Sequence, residues 1–225
     1  MRQLFWFFLF LMDISTAPKQ FPPLPRVGIQ VGHWKNNELP EELSKHIANT
    51  GSSGGGWSEA EVNLLIAKNV ARILEEKGVK VDLLPATIPP SYRANVFLAI
   101  HADGNLNPSV RGFKIADPQQ DLTRNASLLI NKISESYVKT TSLPLDKNIT
   151  ANMRDYYAFA WWKYKHALHP LTPAAIIETG FLTNPQDRYL LTSRPEIPAQ
   201  GIAQGIINYL ESENLLTTTA IDFKI

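Results

Sequence analysis

The stretch Val96-Phe97-Leu98-Ala99-Ile100-His101-Ala102-Asp103-Gly104-Asn105 decides the fold. Its apolar residues, Val96 to Ile100, include β-branched and aromatic members and stop at His101, with Asp103 and Gly104 just beyond. A short apolar run closed by Asp and Gly reads as a strand buried on both faces that feeds a turn. Such strands belong to parallel sheets, which place ligand sites beyond the carboxyl ends of their strands. A lone histidine there is more often structural than functional. Two further runs repeat the pattern, however: Val27–Val31 leads to Gly32 and His33, and Ala174–Ile177 leads to Glu178. Three side chains of metal-ligand or acid–base type, each closing a predicted strand, can converge at one sheet edge. That coincidence points to an enzyme.

The composition narrows the class. A chain of 225 residues, 44% hydrophobic and 19% charged, can bury the core of one α/β domain. A net charge of +1 gives no reason to expect nucleic acid as a partner. With no cysteine, disulfides and thiolate metal sites are excluded, so any zinc must be held by His, Asp or Glu. At the amino terminus, Arg2 precedes the apolar run Leu4–Met12, and Ser15 and Ala17 follow. This resembles a secretory signal; the run is too short to span a bilayer as a helix. The expectation is export to the cell envelope or beyond, with the leader either cleaved or kept as a tether. Residues 1–25 are read as leader and extended linker, 26–213 as the catalytic domain and 214–225 as a polar tail.

Along the chain, a short helix is expected around Glu41–Ala48, and the Gly51–Trp57 segment reads as a flexible loop near a site. Ser58 and Glu61 have the form of a capping box, opening an amphipathic helix that Gly78 ends. Glu59 then sits in the first turn, where the helix dipole favours a carboxylate. Val79–Leu84 reads as a strand and Gly112–Ala116 as an edge strand. Helices are expected over Leu122–Tyr137 and Ala199–Leu210, with Thr179–Pro185 as a turn. The aromatic segment Thr150–His169 either packs in the core or walls a cleft. His166 and His169 are weak candidates as further ligands. The alternation predicts a three-layer α/β single domain, with a mixed, mostly parallel sheet flanked by helices.

Four motifs in order resemble the type-3 family of zinc-dependent N-acetylmuramoyl-L-alanine amidases. They are Gly32-His33 after a strand; Glu59 opening a helix with Asn63 four residues on; Ala94-Asn95 and then Ala99 to Ala102; and Glu178, Gly180, Phe181 and Asn184. The resemblance spans about Val27 to Leu210. It implies His33, Glu59 and His101 as ligands of Zn2+ and Glu178 as the catalytic carboxylate. It implies peptidoglycan as substrate, cut between N-acetylmuramic acid and L-alanine of the stem peptide. No stable protein partner can be read from the sequence. A His, Glu, His set leaves one tetrahedral position open, as catalytic zinc sites do.

The chain departs from the family in three places. Trp34 and Lys35 follow His33 where the family usually has glycines, Asp103 stands for an asparagine, and Gln30 lies near the place of an acid. These changes touch the surroundings of the site, not its ligands. Two rivals stay open at this level: another zinc amidohydrolase or peptidase, and a non-catalytic glycan-binding or division-scaffold protein that kept the fold.

Overall fold

The computed structural model describes residues 23–216. Strands β1 (Arg26–Val31), β4 (Lys80–Leu84), β5 (Val96–Asp103), β6 (Lys114–Ala116) and β7 (Ala174–Phe181) form one sheet in the order β4-β1-β5-β7-β6. All neighbours are parallel except β6, which runs antiparallel along the edge of β7. The mixed, mostly parallel sheet is thus as expected, with the short strand at its edge. The Gly51–Trp57 segment, expected as a flexible loop, instead folds into a tight hairpin of β2 (Ser53–Gly54) and β3 (Trp57–Ser58).

Alternation along the strands sorts the core into two halves. Val27, Ile29, Val31, Leu98, Ile100, Ala175 and Ile177 face helices α1 (Glu59–Glu76), α2 (Ala126–Thr141) and α5 (Glu196–Ser212). Phe97, Ala99, Ala174 and Ile176 face Leu43, Tyr92, Met153, Tyr157 and Phe159. This second cover is built from 3-10 turns at Glu41–His46 and Tyr157–Phe159 and the one-turn helix α3 (Ala151–Arg154), not from long helices. By the same parity Gln30, His101, Lys114 and Glu178 belong to the second face. The site therefore lies where the thin cover ends.

Helix α1 begins as expected. Ser58 Oγ accepts from the Glu61 amide, and Glu61 Oε2 accepts from the Ser58 amide at 2.9 Å. Val62, Ile66, Val70 and Leu74 are fully buried on its inner face, each contributing roughly 1.5–3 kcal/mol of apolar burial. Gly78 follows the helix with φ of +78°.

Three boundaries differ from expectation. Strands β5 and β7 run on to Asp103 and Phe181, so His101 and Glu178 lie inside their strands, just before an irregularity in the pairing. Helix α2 starts at Ala126, not Leu122, because the Asp121 carboxylate accepts from the Thr123 and Ala126 amides and holds that stretch as a turn. The segment read as a turn leads straight into a helix, α4 (Pro185–Ser193), capped by Asn184 Oδ1 on the Gln186 and Asp187 amides. The expected leader falls mainly on residues 1–22 and the end of the tail on 217–225, outside the described residues.

Candidate metal centre

The end of β1 places the first site residue. Gly32 donates to Ile100 O at 2.9 Å, and His33 turns out of the strand with φ of +61°, a left-handed conformation unusual for a side-chain-bearing residue. Its Nδ1 lies 2.8 Å from Asn49 O. A carbonyl only accepts, so Nδ1 carries the proton and Nε2 turns its lone pair inward. Lys35, where the family usually has glycine, also takes positive φ, at +62°.

The capping box places Glu59 at the first position of α1, buried, where the helix dipole favours its charge. Its Oε2 accepts from the Ser52 amide at 2.6 Å. Its Oε1 accepts from the Ala102 amide and Asn63 Nδ2, each at 3.2 Å. The same Oε1 lies 2.9 Å from His101 Nδ1 and 3.4 Å from His33 Nε2. The ligand atoms of His33, Glu59 and His101 all lie within 4.8 Å of one another. Among the described residues this is the sole group of three such side chains.

The donor set fits a zinc ion. Tetrahedral ligands at about 2.1 Å from a metal stand roughly 3.4 Å apart, close to the separations found here. Two glycines make the close approach possible. A Cβ on Gly32 would sit 2.4 Å from the His101 ring, and one on Gly51, at φ of +79°, would sit 2.2 Å from Glu59 Oε2.

The charges of this cluster are coupled. Burial works against the Glu59 carboxylate, but the hydrogen bond from His101 and the charges of His101 and His33 hold its pKa at about 2. Burial likewise opposes a charged His101, yet the Glu59 hydrogen bond outweighs it and raises the pKa. Burial wins at His33, which is lowered. Glu178 stands level with His101 across the β5–β7 pairing and is half-buried at the cleft wall. Burial pushes its carboxyl up to about 8; His101 opposes the rise, and Glu59 and Asp103 add to it.

His33, His101 and Glu178 open on a cleft of about 860 Å³. Both readings of the aromatic segment hold in part: Met153, Tyr157 and Phe159 are buried in the second core half, and together with Tyr156, Trp162 and Tyr164 they wall the cleft. Trp161 lies outside it, beside His169. Neither weak histidine candidate joins the site: His166 binds Glu42 at 2.7 Å, and His169 Nδ1 accepts from the Leu171 amide at 3.2 Å.

The sequence singled out Gln30 as a departure near the site but not its link to His101 through Tyr156. His101 Nε2 lies 3.4 Å from the Tyr156 hydroxyl, which donates to Gln30 Oε1 at 2.9 Å. Gln30 Nε2 in turn donates to Ala86 O at 2.8 Å. Two-residue periodicity puts Gln30 on the same face as His101, and that signal could have linked the two. Asp103 is held by Lys114 at 2.5 Å, so the carboxylate that replaces the family's asparagine is neutralised by β6.

The comparisons agree with this geometry. The family profile described as N-acetylmuramoyl-L-alanine amidase matches residues 27–208. The chain is 27% identical over 207 residues to the N-acetylmuramoyl-L-alanine amidase AmiA of Escherichia coli (strain K12), covering 71% of each protein. Its fold is similar to that of the amidase AmiC2 of Nostoc punctiforme, with a TM-score of 0.62 at 24% identity, over 84% of this chain and 98% of that one. It is also similar to the catalytic domain of the amidase CwlV from Bacillus (Paenibacillus) polymyxa var. colistinus, with a TM-score of 0.58 at 21% identity, over 84% and 99%. His33, His101 and Glu178 line one cleft, Glu59 joins the two histidines in the ligand cluster, and the match across nearly the whole folded region shows that this chain belongs to the type-3 N-acetylmuramoyl-L-alanine amidase family.

Proposed function

We propose that this peptidoglycan amidase is a zinc hydrolase in which His33, Glu59 and His101 hold the metal and Glu178 moves the protons. The observation that carries this reading is the convergence of two imidazoles and one carboxylate, with both histidines on a cleft that Glu178 also lines. Zinc bound there supplies Lewis acidity toward the amide between the lactyl group of N-acetylmuramic acid and L-alanine. Around it the protein positions and neutralises: Ser52, Asn63 and Ala102 donate to Glu59, and Asn49 orients His33. The charge of a bound zinc would favour the ionised form of Glu178, which takes a proton from the attacking water and returns one to the leaving amine of L-alanine. A carboxylate serves this role when it faces the cleft within reach of the water.

Residues 26–213 form the catalytic domain in this reading, and the amino-terminal leader carries it to the envelope, where the substrate lies. Among the described residues no helix is long and apolar enough to cross a membrane. The test combines metal and product analysis on purified peptidoglycan. One zinc per chain, with release of stem peptides that begin at L-alanine, is the expected outcome, and His33→Ala and His101→Ala should each lose the metal. Glycan cleavage, or full zinc in both variants, would overturn the assignment.

A further inference from the structure

We propose that Lys45, Lys163 and Tyr164 form a carboxylate-binding subsite for the peptide arm of the substrate. The proposal rests on the amidase reading of the same cleft, which these three residues line together with His33, His101 and Glu178. Lys45 comes from the 3-10 turn Glu41–His46, and Lys163 from the aromatic segment more than a hundred positions later. Their ammonium groups lie 5.9 and 5.0 Å from the centre of the Tyr164 ring. Both are exposed, and neither forms an ion pair among the described residues. Asp155 also lines the cleft without pairing with either.

The juxtaposition is built. Glu42, the acid nearest to Lys45 in sequence, is committed elsewhere: its oxygens accept from the Lys165 amide at 3.0 Å and the His166 amide at 2.8 Å. That bridge fastens the aromatic segment to the turn and holds two like charges over one ring. Like charges drawn together repel unless an anion lies between them. Burial is the first cause that lowers the pKa of His46, and the charges of both lysines add to it, so the two act on one place.

The cleft is therefore polarised. Glu59 and Glu178 stand with the metal ligands, and the two ammonium groups stand at Tyr164. A free peptide that begins at L-alanine ends in a carboxylate unless that group is amidated or cross-linked, and acidic side chains along it add more. With the scissile amide at the Glu178 region, such a carboxylate would meet Lys45 and Lys163, and the Tyr164 hydroxyl adds a hydrogen-bond donor beside them.

The experiment measures binding and turnover separately on the zinc-loaded full chain. Calorimetry compares two peptides beginning at L-alanine, identical except that the carboxylates of one are converted to neutral amides. The acid form should bind about tenfold more tightly, the scale of two solvent-exposed charge pairs, and the preference should shrink with added salt. Lys45→Ala with Lys163→Ala should abolish the preference, and arginine at both positions should keep it. Equal binding of the two peptides, or a preference that survives the double alanine change, overturns the subsite. Turnover is read on the same two peptides joined to N-acetylmuramic acid through L-alanine; if neither is cleaved while the binding preference stands, the amidase reading fails and the carboxylate subsite remains.

Discussion

His101 Nε2 lies 3.4 Å from the hydroxyl of Tyr156, and the direction of that contact is set elsewhere in the fold. Ala86 O can only accept, so the Gln30 amide nitrogen faces it and Gln30 Oε1 faces Tyr156. The Tyr156 proton therefore goes to Gln30, leaving an oxygen lone pair toward His101. With a metal bound, His101 would keep its proton on Nε2 and give Nδ1 to the ion, in place of the hydrogen bond that Nδ1 donates to Glu59 at 2.9 Å. Partners of this kind typically contribute 10–100-fold in metal affinity. Tyr156→Phe keeps the ring and removes the oxygen. Zinc retention measured against a competing chelator should fall about tenfold with the fold intact by circular dichroism. Unchanged retention would show that Tyr156 only packs.

Glu178 is exposed to a different test. Glu178→Gln keeps the side-chain shape but cannot accept and return a proton. The variant should hold zinc as the parent does and lose at least about a hundredfold in turnover, the range of general acid–base catalysis. Loss of zinc would make Glu178 a ligand, and near-parental turnover would remove it from the mechanism.

At the other end of β1, Asp82 accepts from Arg26 Nε and from the Tyr92 hydroxyl, each at 2.5 Å. Burial would raise the Asp82 carboxyl, but these hydrogen bonds outweigh it and hold the pKa below its ordinary 3.8. A depressed folded-state pKa contributes stability that is fully present above the unfolded value and is lost as pH falls through the folded one. Asp82→Asn should therefore be less stable than the parent at pH about 6, and the gap should shrink at a pH below the ordinary 3.8. Denaturant titrations at both pH values check this. A gap of constant size would mean that the carboxylate charge contributes nothing.

Helix α5 approaches α2 through Gly205, where an added Cβ would lie 2.4 Å from Ile133 Cα and 2.8 Å from Lys132 O. These are backbone atoms, so the helices would have to separate. Gly205→Ala should cost about 1–3 kcal/mol in urea denaturation despite the better helix propensity of alanine. A neutral result would show that the two helices can shift without loss.

Much of this architecture is local in origin and was legible in the chain. The runs ending at His33, His101 and Glu178 are strands because continuous β-branched and apolar residues can be buried on both faces only in a central sheet. The box at Ser58 and Glu61 sets the start of α1, and with it the position of Glu59. The four motifs placed the three ligand candidates and Glu178 in one family pattern, and the structure gathers them around one cleft.

Other features were not local. Helix α4 is only nine residues long, and its amphipathic pattern is too brief to stand out; the Asn184-Pro185 cap was the available signal. The start of α2 depends on the Asp121 turn competing with helical hydrogen bonds. The aromatic segment divides between core and cleft according to what lies opposite each ring, which no periodicity within the segment reports. Gln30 and Tyr156 stand 126 positions apart, and Lys45 and Lys163 meet over Tyr164 only because Glu42 ties their segments together. Sequence alone determined the strands and the capped helix, since hydrophobic patterning and capping act between near neighbours, and the family resemblance named the ligand candidates. Only the tertiary structure decided which side chains orient those residues and how the cleft is charged, since those contacts exist only once the sheet brings distant segments together.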